Sequence, residues 1–386
     1  MRVVKQYILG LLGLLVISAI ALALVLSNRY GGGQPYPDLS TAPVLDKAAL
    51  EPVLSYPEPI GNLAVAADGR VFFTVHPESR PEGNKLLVFE HGQIHPFPAP
   101  EMQKALFDTV LGVRIDGQGR LWTIDHGDHA SGQARLLAFD LASGKPVFDL
   151  KFSREVAPLG SFLQDMVIAP DGRFVYIADV SFWRKQPGIV VVDTQANQPN
   201  QPSRAWRALD AHPSVSNQDW LIRNPIKDMV FLGLVTLKPG IDGITLSRDG
   251  KMLYYGAMAH DTLFRIPVAA LATPELAQTA GAAVQAVGKK PLNDGLSSDD
   301  QGNIYLTDVE HGSVMRHGSD GKLITLIRDD ARIRWADALS FGPDGYLYLA
   351  DSAIPDQMLR SKAHMAARAP YYIYRFKSGA TAAAGQ

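Results

Sequence analysis

The sequence predicts an all-β fold, a six-bladed β-propeller, behind an N-terminal transmembrane or signal helix. Three features carry this expectation: an uncharged apolar stretch near the start, a strand–turn–strand pattern that recurs six times, and a further strand pair after each copy. Repeats of roughly 40–50 residues, each worth four short strands, are what propeller blades require.

Arg2 and Lys5 precede an uncharged run from Gln6 to Asn28, whose apolar part is Tyr7 to Leu26. About 20 helical residues at ~1.5 Å each cover a hydrocarbon core of roughly 30 Å. The positive flank predicts that the start of the chain stays in the cytoplasm and the rest crosses. Two outcomes fit residues 1–29. One is a signal anchor; the other is a signal peptide cut near Ala21-Leu22-Ala23 or Val25-Leu26-Ser27, where small residues stand. Both put the bulk of the protein outside the cytoplasm, periplasmic or secreted, and the anchor would hold it at the inner membrane. Residues 30–49 begin with three consecutive glycines and two prolines and read as a flexible linker.

The repeat occupies residues 50–378. Its copies are Asn62–Val75, Gly112–Asp125, Asp165–Asp179, Gly243–Gly256, Gly295–Asp308 and Ala338–Asp351, each an alternating apolar strand, a Gly-centred turn and a second strand of aromatic and β-branched residues. The turn glycines Gly69, Gly119, Gly172, Gly250, Gly302 and Gly345 are 50, 53, 78, 52 and 43 residues apart. Asp-Gly between alternating strands is the strongest short hairpin signal. The gap of 78 residues contains Trp206, Trp220 and an apolar run from Val230 to Val235, and reads as an insertion over one face of the ring. Residues 379–386 read as a disordered tail.

Composition excludes several classes. Net charge is −2, with no basic run that could follow a phosphate backbone, so nucleic acid is not an expected partner. Without cysteine there is no disulfide, no thiolate zinc site, no cysteine nucleophile and no acylated lipoprotein anchor. Neither a Gly-x-Ser-x-Gly elbow nor a His-Glu-x-x-His motif occurs.

In a propeller the innermost strand of each blade starts at one mouth of the channel, so the residues opening each repeat should converge. They are Gly61-Asn62, Leu111-Gly112, Gln164-Asp165, Ile241-Asp242, Asn293-Asp294 and Ala336-Asp337. Carboxylates this close raise one another's pKa. A hard cation resolves the conflict, and calcium takes six to eight oxygens from Asp, Asn, backbone and water. Asn62, Asp165, Asp242 and Asp294 are therefore the expected ligands of a divalent metal, calcium first. Asp337 and Asp294 are the expected catalytic carboxylates, and Asn293, Trp335 and His126 the expected ligand contacts. Taken singly, an Asp before Gly is also an ordinary turn cap. Asp68, Asp171, Asp249 and Asp344 are read as turn formers. Asp125, Asp179, Asp308 and Asp351 end second strands and are read as satisfying backbone groups between blades. His126 and His129 share a polar loop with Asp125 and Asp128, able to hold a metal or move a proton. His260 and His311 are expected at the opposite end of the channel. Trp183, Trp206, Trp220 and Trp335 fall at strand ends or in the insertion, where aromatic walls would suit an amine or planar ligand.

The stretches GIDGITLSRDGKMLYYGAMAHDTLFRIP from Gly240, GLSSDDQGNIYLTD from Gly295 and RIRWADALSFGPDGYLYLADS from Arg332, with LWTIDHG from Leu121 and PGIVVVD from Pro187, resemble the bacterial branch of the Yellow and major royal jelly protein family. That resemblance implies a six-bladed propeller and a range of roles, among them amine binding and dopachrome conversion. Animal members carry cysteines that this chain lacks. The same phrasing is more distantly similar to the gluconolactonase and senescence-marker propellers. Their metal-binding Asn and Asp would fall near Asp165, Asp242 and Asp294. Their first-blade Glu is displaced here to Glu58, with Asn62 in its place. The function expected is a channel-mouth small-molecule site acting as a metal-dependent lactone or ester hydrolase. Alternatives are a non-enzymatic binder of amines or aromatics, or a protein-interaction scaffold. A monomer is expected.

Overall fold

Strands joined by tight glycine turns fold back on themselves. The computed structural model, which describes residues 2–196 and 204–385, shows six four-stranded antiparallel sheets. All six turn glycines have φ between 68° and 87°, the left-handed region that a Cβ disfavours. The innermost strands are Ile60–Val65, Val110–Ile115, Leu163–Ile168, Ile241–Leu246, Leu296–Ser298 and Ala336–Phe341. Each touches the next and the last touches the first, so the ring is closed and no long inner edge is exposed. Every residue in these six strands is buried, and successive residues pack to opposite sides of the blade: Met166 and Ile168 toward blade two, Val167 toward blade four. The core is correspondingly divided. An apolar cluster fills each of the six interfaces between neighbouring blades, and a further one, around Ile222, Met229 and Trp335, lies beneath the insertion.

The sixth blade is made from both ends of the propeller. Tyr371–Lys377 pairs on one side with Tyr346–Asp351 and on the other with Glu51–Tyr56, which supplies the outermost strand. Trp206 belongs to the outermost strand of blade three, Arg204–Ala208, and donates from its indole to the Leu271 carbonyl of blade four. It is not part of the insertion, contrary to expectation, because the blade takes its fourth strand from the long gap. The insertion proper begins after it and crosses the mouth. It carries the short hairpin Val230–Phe231 with Val235–Thr236.

The apolar N-terminus is one helix, Arg2–Tyr30, long and apolar enough to cross a membrane, with none of its apolar window buried against the propeller. Met1 lies outside the described residues. The segment expected as a flexible linker has specific partners along its length. Gly31 and Gly32 carbonyls accept from Lys238 Nζ and Thr236 Oγ1, both at 2.6 Å. Gln34–Pro35 pairs in parallel with Trp220–Leu221, and the Tyr36 hydroxyl donates to the Lys290 carbonyl. Val44 and Leu45 bond to the backbone of Thr325 and Leu326 in the outer strand of blade five. Its glycines serve close approach: a Cβ on Gly33 would stand 3.0 Å from Leu221 Cβ. The expected tail is also bonded, through Thr381 to Asp300 and through Gly385 to the Phe341 carbonyl. Gln386 lies outside the described residues.

Candidate functional site

Five innermost strands begin with a register break: between Ile60 and Leu63, Val110 and Val113, Leu163 and Met166, Ile241 and Ile244, and Ala336 and Leu339. A bulge re-aims the residue it carries. The bulged positions include Asn62, Gly112, Asp165, Asp242 and Asp337, so the irregularity falls where the polar ring is built. Glycine beside these residues lets adjacent strands crowd together. A Cβ on Gly243 would stand 2.5 Å from the Asp294 carbonyl oxygen, and one on Gly295 2.2 Å from that of Asp337.

The result is a ring of buried polar groups. Asn62 Nδ2 donates to Asp165 Oδ1 at 2.6 Å, and Gln164 Nε2 lies 2.5 Å from Asp242 Oδ1 and 3.3 Å from Asp294 Oδ1. The Trp335 indole donates to Asp294 Oδ2 at 2.7 Å. His76 Nε2 stands 3.5 Å from Asp337 Oδ2. Several oxygens have no hydrogen-bond partner: Asn62 Oδ1, Asp165 Oδ2, Asp242 Oδ2, Asn293 Oδ1 and both carboxylate oxygens of Asp337. Such an orphan costs about 1–3 kcal/mol, more if charged.

Burial, offset by Arg114 and reinforced by Asp337, pushes Asp165 up to about 6. Burial and then the charges of Asp165 and Asp337 raise Asp242 well above the usual carboxylate range. Asp294 rises for the same reason, with Asp242 and Asp337 as its neighbours. Two buried cations back the ring. Arg114 reaches across the channel and donates to the carbonyls of Met166, Leu339 and Leu296, in three other blades. Lys290 is fully buried behind Asp242, and burial lowers it to about 7 against the pull of Asp261, Asp242 and Asp308.

Above the ring opens a cavity of about 340 Å³. Asp242, Asp294, Asp337, Gln164 and His76 form its floor. Its walls are mainly apolar, from Phe162, Phe182, Trp183 and Trp335, the insertion from Phe231 to Leu237, Ile354, Met358 and Leu359, and Leu26 of the N-terminal helix, with Glu78 and His129 as a polar pair on one side. A pocket of this size with few polar groups at its base is the usual form of a small-molecule site.

The expected residues divide on this geometry. Asp242, Asp294, Asp337 and Trp335 meet at the cavity; Asp165 and Asn62 complete the ring just beyond its lining. Asn293 lies behind, its amide donating to the Asp294 carbonyl. His126 is not at the cavity. It is buried under Phe162, with Nδ1 accepting from the His129 backbone N–H, and burial together with His129 and His76 lowers it well below the ordinary histidine value. The left-handed turn through Gly127, Asp128 and His129 brings His129 forward instead, with Nε2 3.4 Å from Glu78 Oε1. Burial opposes ionisation of Glu78, yet its bond to His129 and the charge of His76 hold it below its ordinary value. His260 and His311 follow second strands whose ends pair with the starts of the first, so they lie at the mouth end, outside the cavity, not at the opposite end. His260 Nδ1 accepts from Thr262 N, and His311 bonds Asp308. Asp125 and Asp351 accept backbone N–H groups leading into their own blade's first strand: Asp108 and Thr109 for one, Arg334 and Trp335 for the other. Their bonds fall within blades, where bonds between blades were expected. Sequence reasoning named His129 beside His126 and placed Gln164 at the mouth, but missed His76, Glu78, Arg114 and Lys290; of these only the loop pair His76 and Glu78, flanking Pro77 after a second strand, carries a local signal.

An all-oxygen set of Asp and Asn with unpaired lone pairs has the chemistry of a calcium or magnesium site. As the side chains are placed, no group of three or more His, Asp or Glu among the described residues is close enough to share one ion. The donor type fits a cation, and the ring would have to contract around it.

Fold and ring together define the class: closed six-bladed propellers with a polar channel mouth. The family is narrower, for the major royal jelly protein profile matches residues 108–361, and the chain belongs to that family. Among solved structures it is similar to a luciferin-regenerating enzyme (12% identity, TM-score 0.55, covering 87% of this chain and 97% of that one). It is also similar to the calcium-binding protein regucalcin of Agrobacterium tumefaciens (15%, 0.53, 90% and 100%). A gluconolactonase of Xanthomonas campestris gives similar figures (15%, 0.53, 89% and 98%). At these identities the likeness is one of fold. No curated protein matches the sequence.

Proposed function

We propose that the chain is an exported propeller whose mouth binds a small molecule over a divalent cation, calcium first, and hydrolyses a lactone or ester. One observation carries this reading. Unpartnered carboxylate and amide oxygens from Asn62, Asp165, Asp242 and Asp337 stand at or just below the floor of an apolar cavity. Asp242, Asp294, Asp165 and Asn62 would hold the cation. Bound there, it would polarise a carbonyl and acidify a water. Asp337 would take the proton of the attacking water, with His76 at 3.5 Å to pass it on. Trp335 orients Asp294 through its indole. Two structural neighbours, a calcium-binding protein and a gluconolactonase, support this chemistry. The membrane-length helix supports export, and a ring closed within one chain supports a monomer.

A second reading rests on the same floor. Its carboxylates face aromatic walls, Trp335 and Phe162, an arrangement in which an ammonium ligand could replace the metal. Elemental analysis of gently purified protein, with a lactone and ester panel run with and without calcium, decides between them. Bound calcium and calcium-dependent turnover are expected. No metal, no turnover and tight amine binding would replace the first reading with the second.

A further inference from the structure

We propose that the cavity mouth rests on the lipid bilayer and that the cavity takes from it an uncharged ester or lactone bearing an alkyl chain. This shares the cavity of the function proposed above, while depending on its apolar wall and not on a cation.

The helix Arg2–Tyr30 ends beside the cavity. Its uncharged run ends at Asn28, and Arg29 is the first charge after Lys5. Leu26 lies inside the apolar run and also lines the cavity. Leu26 is three positions before Arg29, about 4.5 Å along the axis. If the helix spans a bilayer, the cavity wall therefore begins within one helical turn of the hydrocarbon boundary.

The junction leaves little slack. The Tyr30 hydroxyl donates to the Trp183 carbonyl at 2.8 Å, and Arg29 Nη2 donates to the Arg184 carbonyl at 3.2 Å. Tyr30 packs on Phe182 and Trp183, each at 5.5 Å between ring centres. Lys238 and Thr236 bond the next two carbonyls. A helix so fastened sets which face of the propeller meets the membrane, and it is the mouth.

That face is built for such contact. Leu232 is 91% exposed, Leu359 72% and Trp183 45%, and all three line the rim of the cavity. Leu232 stands at the tip of the insertion hairpin in a left-handed conformation, φ 52°, which presents it outward. Exposed apolar groups continuous with a membrane segment mark a lipid-facing surface. Basic groups surround them at headgroup level: Arg29, Arg184, Lys185 above the Phe182 ring, and Lys227 above the Phe231 ring. The nearby acids Asp219 and Asp228 are paired with Lys238 and Arg223. Inside, the wall from Phe231 to Leu237 and Met358 to Leu359 is apolar down to the carboxylate floor. It fits a chain above and a carbonyl below, and disfavours an anionic headgroup.

The chain has no cysteine, so single cysteines report alone. The full chain in phosphatidylcholine–phosphatidylglycerol vesicles would be spin-labelled at Leu232→Cys, Leu359→Cys and, on the outer strand of blade two, Val147→Cys. Labels at 232 and 359 should be shielded from an aqueous nickel chelate and open to oxygen, and the label at 147 the reverse. Binding of butyl, hexyl and octyl esters should tighten about fourfold per added methylene. The double variant Leu232→Asp with Leu359→Asp should lose at least tenfold for the octyl ester while keeping its circular dichroism. Equal nickel access at 232 and 147, affinity flat with chain length, or an exported chain cleaved before Leu26 would each overturn the proposal. Chain-length dependence that survives chelation would leave this inference standing even where the cation reading fails.

Discussion

All six innermost strands lead into a turn aspartate and four of them open on an aspartate at the mouth, and the two ends treat them differently. At the turn end Asp299 and Asp116 are saturated. Asp299 accepts from the backbone of Gln301 and Asn303, the Asn303 amide and the Tyr305 hydroxyl. Asp116 accepts from Gln118 N, Arg120 N and Nε, and the Trp122 indole. At the mouth Asp337 has no hydrogen-bond partner, and Asp165 and Asp242 each leave one oxygen unpaired. The residue type is constant and the satisfaction is not. Saturated carboxylates hold the turns, and the unsaturated ones carry a standing cost that a ligand can relieve.

Breaking the mouth at its buried cation should have the largest effect. Arg114→Met removes the donor to three carbonyls and the countercharge of Asp165, and should cost about 3–5 kcal/mol in urea unfolding. Asp165→Asn acts in the opposite direction. Asp165 is raised from 3.8 to about 6, so its favourable contribution is complete below pH 4 and fades as pH rises through 6. In chelator at pH 7 the variant should gain about 3 kcal/mol, from a shift near two units at ~1.36 kcal/mol each. Against wild type that gain should grow between pH 4 and pH 6; a difference independent of pH would break the account. Calcium at a hundred times its Kd should stabilise wild type by about 2.7 kcal/mol. Asp242→Asn should abolish that response in a thermal melt. At the other end Asp299→Ala should cost about 2 kcal/mol by stranding its donors. Its calcium response should equal that of wild type, which sharpens the contrast between the two ends.

Much of this was legible in the chain. The six Asp-Gly or Gln-Gly turns fix hairpins locally, and their spacing sets the blade number. The Asp at the start of four repeats was visible too, at Asp242 and Asp294 with a glycine after it where the neighbouring strand crosses. Closure by Glu51–Tyr56 was not, since one short strand gives no sign of a partner more than 300 residues away. Arg114 reads in sequence as an outward residue of an alternating strand; only the ring shows that its side of the sheet is the channel. His129 displaced His126 because a left-handed turn, invisible in residue type at Asp128 and His129, reverses which imidazole points inward. The glycines after Tyr30 look like slack, yet they are there so that the backbone can lie against Leu221 and Leu234.

The two-ended sixth blade has a consequence for how the protein is made. Arg375 Nε reaches Glu51 across 324 residues of sequence, so the outermost strand leaves the ribosome early and waits for nearly the whole chain before it can pair. Closing a loop of that length costs about 5 kcal/mol of chain entropy. Until then Glu51–Tyr56 is an open edge, and the last blade to be synthesised is the one that lets folding finish.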